Sequence, residues 1–303
     1  MTTPPALLIA GHGTRDDAGA EAFRAFVREL GRRRPGLPVA GGFIELSPPP
    51  LGEAVAELVE RGVRRFAAVP LMLVSAGHAK GDIPAALARE KERHPGVSYT
   101  YGRPLGPHPG LLRVLERRLA EAVDASWDPA EVTVLLVGRG STDPDANAEV
   151  FKAARLLWEG RGYAGVETAF VSLAKPDVPG GLDRCARLGA RRIVVLPYFL
   201  FTGILPDRVR TQTEEWAAAH PEAEVRSADV IGPEPELLDL VLERYEEAVK
   251  GDLRMNCDSC VYRIALPGFE DKVGLPQQPH FHPDDDGHHH HGHGHSHSHS
   301  HAH

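Results

Sequence analysis

Short apolar runs alternate with longer amphipathic ones from residue 5 to about residue 250, and the alternation predicts strands and helices in turn. Leu7 to Ala10 is continuously apolar, as a strand buried on both faces requires, and it runs into Gly11-His12-Gly13-Thr14-Arg15-Asp16. Ala18 to Arg34 places Ala22, Phe23, Phe26, Val27 and Leu30 at helical spacing before Pro35-Gly36 stops it. Val39 to Leu46 reads as a second strand, and Pro48-Pro49-Pro50 precedes a helix through Ala54, Val55, Leu58 and Val59. A third strand is predicted from Phe66 to Val74, a helix from Gly81 to His94, a fourth strand from Val97 to Tyr101 and a last helix from Leu111 to Val123. Four such units in succession predict a mostly parallel sheet with helices on both faces. Right-handed crossovers favour the flavodoxin-like order, with the second strand on one side of the first and the third on the other. A ligand site is then expected at the switch point between the first and third strands.

The second half repeats the first at an offset of 127. Gly11-His12-Gly13-Thr14 aligns with Gly138-Arg139-Gly140-Ser141, Phe43-Ile44-Glu45-Leu46 with Phe170-Val171-Ser172-Leu173, and Arg65 to Leu73 with Arg192 to Leu200. This is the duplication of a whole domain, not a short solenoid repeat. The expected class is therefore α/β, with two tandem flavodoxin-like domains at residues 1–125 and 126–250 and a disordered tail at 251–303. The boundary falls where Trp127, Asp128 and Pro129 interrupt the helical pattern.

Composition narrows the function. With 303 residues the chain is long enough for two cores, and 42% hydrophobic with 25% charged residues is ordinary for a globular protein. A net charge of −8 argues against a general nucleic-acid binder. No run reaches the length of a membrane span, and Met1 to Pro5 lacks the features of a signal peptide, so a cytoplasmic location is expected. Three cysteines do not make a disulfide framework.

The candidate chemistry lies at the expected strand ends. His12, Glu45 and His78 follow one another at intervals of 33 residues, about one strand plus helix each, and would converge on one edge of one sheet. Singly, His12 reads as a turn cap and Glu45 as a solvated strand end. As a set, absent from the second copy where Arg139, Ser172 and Ile204-Leu205 stand, they read as a site in the first half, with the second half as its wall. Two imidazoles and a carboxylate with open positions suit a divalent first-row metal that must later leave, whereas a structural zinc site is closed by four ligands.

Gly-His-Gly-Thr-Arg-Asp, Phe43-Ile44-Glu45 and Pro70-Leu71-Met72-Leu73-Val74-Ser75-Ala76-Gly77-His78 resemble the type II chelatases of the sirohydrochlorin cobaltochelatase family, in its long CbiX-type form. The resemblance spans both halves and the tail. It implies ATP-independent insertion of Co²⁺ into the tetrapyrrole sirohydrochlorin on the route to cobalamin. Fe²⁺ insertion toward siroheme is the near alternative, and Ni²⁺ is a further candidate metal. It also implies that His12 and His78 bind the metal, that His12 accepts a proton, that Glu45 touches metal or substrate, and that Leu73, Val74, Ser75, Ala76 and Gly77 line the tetrapyrrole pocket. Substrate carboxylates would favour Arg15, Lys80, Arg208 or Arg210 at the rim, beside positive charge from Arg139, although surface charge is the commoner role for any one of them. A histidine phosphatase would want an arginine directly before the histidine, where Gly11 stands. A metal storage or delivery protein, with the tail as its working part, is the reading from another class.

The tail contains Met255-Asn256-Cys257-Asp258-Ser259-Cys260, half the ligands of a four-cysteine cluster; a redox dithiol or an incidental pair is about as common. The family resemblance implies an iron–sulfur cluster here. With Cys185 the only other cysteine, a 4Fe–4S cluster would be shared across a homodimer. His280, His282 and ten histidines from His288 to His303, largely alternating with Gly and Ser, have nothing to bury and would bind divalent metals loosely; a purification tag is the competing origin.

Overall fold

The computed structural model describes residues 4–123, 126–251 and 270–274. The first half runs β1 (Ala6–Gly11), α1 (Asp17–Arg33), β2 (Val39–Phe43), α2 (Leu51–Glu60), β3 (Arg65–Pro70), α3 (Ile83–Arg93), β4 (Ser98–Tyr101) and α4 (Pro109–Ala122). The second runs β5 (Val132–Gly138), α5 (Pro144–Trp158), β6 (Gly165–Phe170), α6 (Val178–Arg187), β7 (Arg192–Pro197), α7 (Ile204–Ala219), β8 (Glu224–Ser227) and α8 (Pro235–Lys250). Each half forms a four-stranded parallel sheet, ordered β2-β1-β3-β4 and β6-β5-β7-β8, so the flavodoxin-like order is met twice. Cys257, Cys260 and the histidine-rich stretch lie outside the described residues.

Two predicted strands end early, and both departures build the cleft. β2 stops at Phe43 rather than Leu46, because Leu46 takes a left-handed φ of 65° and turns the chain; its counterpart Leu173 does the same at 60°. β3 stops at Pro70 rather than Val74. Proline has no N–H for the ladder, and the following residues leave the sheet as a loop that returns at His78. The helix expected from Gly81 begins instead as a π-helical turn, His78–Asp82, leading into α3.

Each half keeps a core cluster of its own, and a further cluster is shared between them. Leu7 and Ile9 of the first sheet and Phe26 of α1 belong to the same buried cluster as Val134, Leu136 and Val194 of the second sheet. The last helix of each half crosses over: α8 packs on β3 and β4, while α4 packs on β7 and α5. On α8, Tyr245 donates from its hydroxyl to Pro5 O at 2.5 Å, and the buried Arg244 guanidinium donates to Leu105 O at 2.9 Å.

Gly13 has φ +109°, and a Cβ there would lie 1.8 Å from Glu45 O; Gly140 repeats the geometry against Ser172 O. These glycines let the loop after each central strand press against the neighbouring loop. Gly13→Ala is expected to lower stability by roughly 1–3 kcal/mol in urea unfolding, from left-handed strain plus the clash. Gly36→Ala, with nothing within 4 Å, should leave the midpoint nearly unchanged.

Candidate metal centre

His12, Glu45 and His78 come together at the carboxyl ends of β1, β2 and β3, the switch point of the first sheet. One ligand atom from each lies within 4.8 Å of the other two. Donors about 2.1 Å from one ion stand roughly 3–4 Å apart, so the three need draw in only slightly to share a cation. The imidazoles meet edge to face with centroids 4.3 Å apart, and His12 Nε2 lies 3.5 Å from Glu45 Oε1.

Both imidazoles are held through their Nδ1 atoms. His12 Nδ1–H donates to Gly13 O at 3.1 Å and His78 Nδ1–H donates to Asp82 Oδ2 at 2.6 Å, which leaves the Nε2 lone pairs as the donors for a metal. Asp82 sits four residues after His78, one turn along, a spacing that could have singled it out in the sequence. The loops bearing His12 and Glu45 are tied together by Thr14 and Ser47: Thr14 N–H donates to Ser47 Oγ at 3.0 Å, and the Ser47 hydroxyl returns to Thr14 O at 2.5 Å.

A cleft of about 420 Å³ opens over these groups, within the usual range of small-molecule sites. Both halves line it. Leu46, Met72 and Val74 face Phe199, Phe201 and Ile204, and Arg15 and Arg139 add positive charge. Arg139 Nη1–H donates to His12 Nε2 at 3.4 Å.

Of the expected pocket segment, Leu73, Val74 and Ala76 line the cleft, whereas Ser75 and Gly77 do not. Ser75 turns to the second half, donating from its N–H and hydroxyl to the Glu149 carboxylate at 2.8 and 2.9 Å, and Gly77 is buried at the start of the π-helical turn. Lys80 is not a rim residue either. Its ammonium is buried between Asp143 and Asp145 of the second half, at 2.6 and 3.0 Å. Burial alone would lower the Lys80 pKa; hydrogen bonds and charges from the two aspartates outweigh it and raise it. Burial pushes the Glu149 carboxyl up, against the lowering effect of its bonds from Ser75. Arg208 and Arg210 lie outside the cleft lining, and Arg210 pairs with Asp207 on α7. Asp143, Asp145 and Glu149 were not legible as partners, because nothing in the first half's sequence points to them.

A CbiX family model matches residues 6–122 and 133–248. A sirohydrochlorin cobaltochelatase of Priestia megaterium is 38% identical over 86% of this chain and 85% of its own length. A sirohydrochlorin ferrochelatase of the same organism is 36% identical over 69% of this chain and 78% of its own. SirB from Bacillus subtilis, solved with Fe³⁺, superposes with a TM-score of 0.71 at 28% identity, covering 82% of this chain and 97% of that one.

Two substitutions probe the assembly. Lys80→Met strands two buried carboxylates and is expected to cost about 3–5 kcal/mol in urea unfolding at pH 7. Asp82→Ala frees the His78 ring and should weaken Co²⁺ binding at the cleft about 10–100-fold by titration, with the fold retained by circular dichroism.

Proposed function

The chain belongs to the CbiX family, and from that premise we propose that it inserts Co²⁺ into sirohydrochlorin without ATP, using His12, Glu45 and His78. The observation that carries the reading is the convergence of two Nε2 donors and one carboxylate on a single cleft walled by both halves. The cation sheds water to these donors on one face of the macrocycle, whose apolar body packs between Met72 and Val74 on one wall and Phe199 and Phe201 on the other. Two pyrrole N–H protons must leave as the dication enters. The His12 and His78 lone pairs released by the ion are placed to accept them, so charge balances without a nucleophile. Leu73, Val74 and Ala76 act from the loop as substrate contacts; Ser75 and Gly77 shape that loop. The same ligands would take Fe²⁺ or Ni²⁺, and affinity order alone does not select cobalt.

The reading extends to the tail. Cys257 and Cys260 supply two thiolates toward a 4Fe–4S cluster. Cys185 does not fit as a third, since it is buried in the second half's core and burial pushes its thiol up to about 12. A cluster would then draw its four cysteines from two chains, making a homodimer. The histidine-rich stretch serves as a loose metal reservoir, and a cytoplasmic location accords with the described residues, none of whose helices is long and apolar enough to cross a membrane.

Anaerobic initial rates with Co²⁺, Fe²⁺ and Ni²⁺ rank the metals. His12→Ala and His78→Ala should each lower insertion into sirohydrochlorin at least 100-fold. Deletion after Pro279 should leave the rate at saturating metal within about twofold. Bound metal that survives both histidine changes but is lost with the tail, with no insertion by the parent chain, would replace this reading with metal storage or delivery.

A further inference from the structure

His12 and Arg139 hold equivalent positions in the two repeats, each between two glycines at the end of a central strand, and they meet across the cleft. With Nδ1–H of His12 committed to Gly13 O, the lone pair lies on Nε2, and it is this atom that receives the Arg139 N–H at 3.4 Å. The same atom is the donor that His12 brings toward Glu45 and His78. A guanidinium carries a permanent charge and cannot act as a ligand. It therefore stands on the path of a metal–nitrogen bond about 2.1 Å long, and a dication and Arg139 oppose each other at His12 by space and by like charge.

We propose that Arg139 is a substrate-sensing placeholder: it occupies the ligating lone pair of His12 until a carboxylate of the tetrapyrrole draws the guanidinium away, so the metal site reaches full affinity only with the macrocycle in the cleft. The inference rests on the cleft being the chelation site. Backbone fixation by Gly140, where a Cβ would meet Ser172 O at 1.8 Å, confines the movement to the long side chain. A carboxylate offers the guanidinium bidentate, charge-assisted bonds where the imidazole offers a neutral acceptor, which supplies the pull. Coupling of this kind is reciprocal: the ring that removes Arg139 tightens the metal, and the metal that displaces Arg139 tightens the ring. The division between repeats follows, the first giving the ligand and the second the cation that reads the substrate's acidic groups.

Full-length protein is titrated with Co²⁺ without tetrapyrrole, and the double variant His12→Ala/His78→Ala, which keeps the tail, gives the background to subtract. Arg139→Ala and Arg139→Gln are expected to tighten cleft binding of Co²⁺ about tenfold and to raise KM for sirohydrochlorin about tenfold, with melting temperatures near that of the parent. Co²⁺ affinity that is unchanged or weaker in both Arg139 variants overturns the placeholder. If the double histidine variant instead binds Co²⁺ and inserts it as the parent does, the chelation site itself has been misassigned.

Discussion

Each half lends its last helix to the other, and this exchange fixes the width of the cleft. α1 to α3 and α5 to α7 cover their own sheets, but α8 completes the cover of β3 and β4 and α4 that of β7, so neither sheet is covered by its own contiguous segment alone. Separating the halves would expose Leu237, Leu240 and Val241 on one helix and Val114, Leu115 and Leu119 on the other, all buried side chains. At about 1.5–3 kcal/mol for each fully buried aliphatic group, such a separation is far too costly to serve as an opening motion. Ligands must enter through an existing gap between two walls held at constant spacing.

A second tie acts closer to the chemistry. The loop after β3 and the π-helical turn that carries His78 both belong to the first half, yet Ser75 and Lys80 on them are anchored by Glu149, Asp143 and Asp145 of the second. A buried ammonium between two buried carboxylates tolerates little displacement, because any shift leaves desolvated charge without compensation. Tyr101 adds a hydroxyl donor to Ala79 O at 2.7 Å from the first sheet. His78 is thus oriented from both sides, and the repeat that lacks counterparts of His12, Glu45 and His78 still helps to place one of them.

The two parallel sheets, their strand order and the convergence of His12, Glu45 and His78 were legible in the residue pattern, since each depends on local periodicity plus the rule that ligands gather at a switch point. The copy's substitutions at His12 and Glu45 separated site from scaffold. Strand ends were less legible. Continuous apolar character from Phe66 to Val74 marks burial, and both a strand and the cleft-lining loop after Pro70 satisfy it. Lys80 misled for a related reason. Charge alone suggests a surface, and only the fold brings two aspartates from beyond position 140 to its ammonium. The helix exchange was equally hidden, because a helix's apolar stripe does not say which of two similar sheets it will cover.

The pairing of a histidine in one repeat with an arginine in the other has a stereochemical corollary. Two identical repeats would offer a planar guest the same donors from either side, and either of its faces could be presented for reaction. Here an imidazole of one repeat meets a guanidinium of the other, so under the proposed function a flat guest would present unlike groups to its two edges and have a single productive orientation. On that reading, duplication followed by divergence is what would make the hollow facially selective.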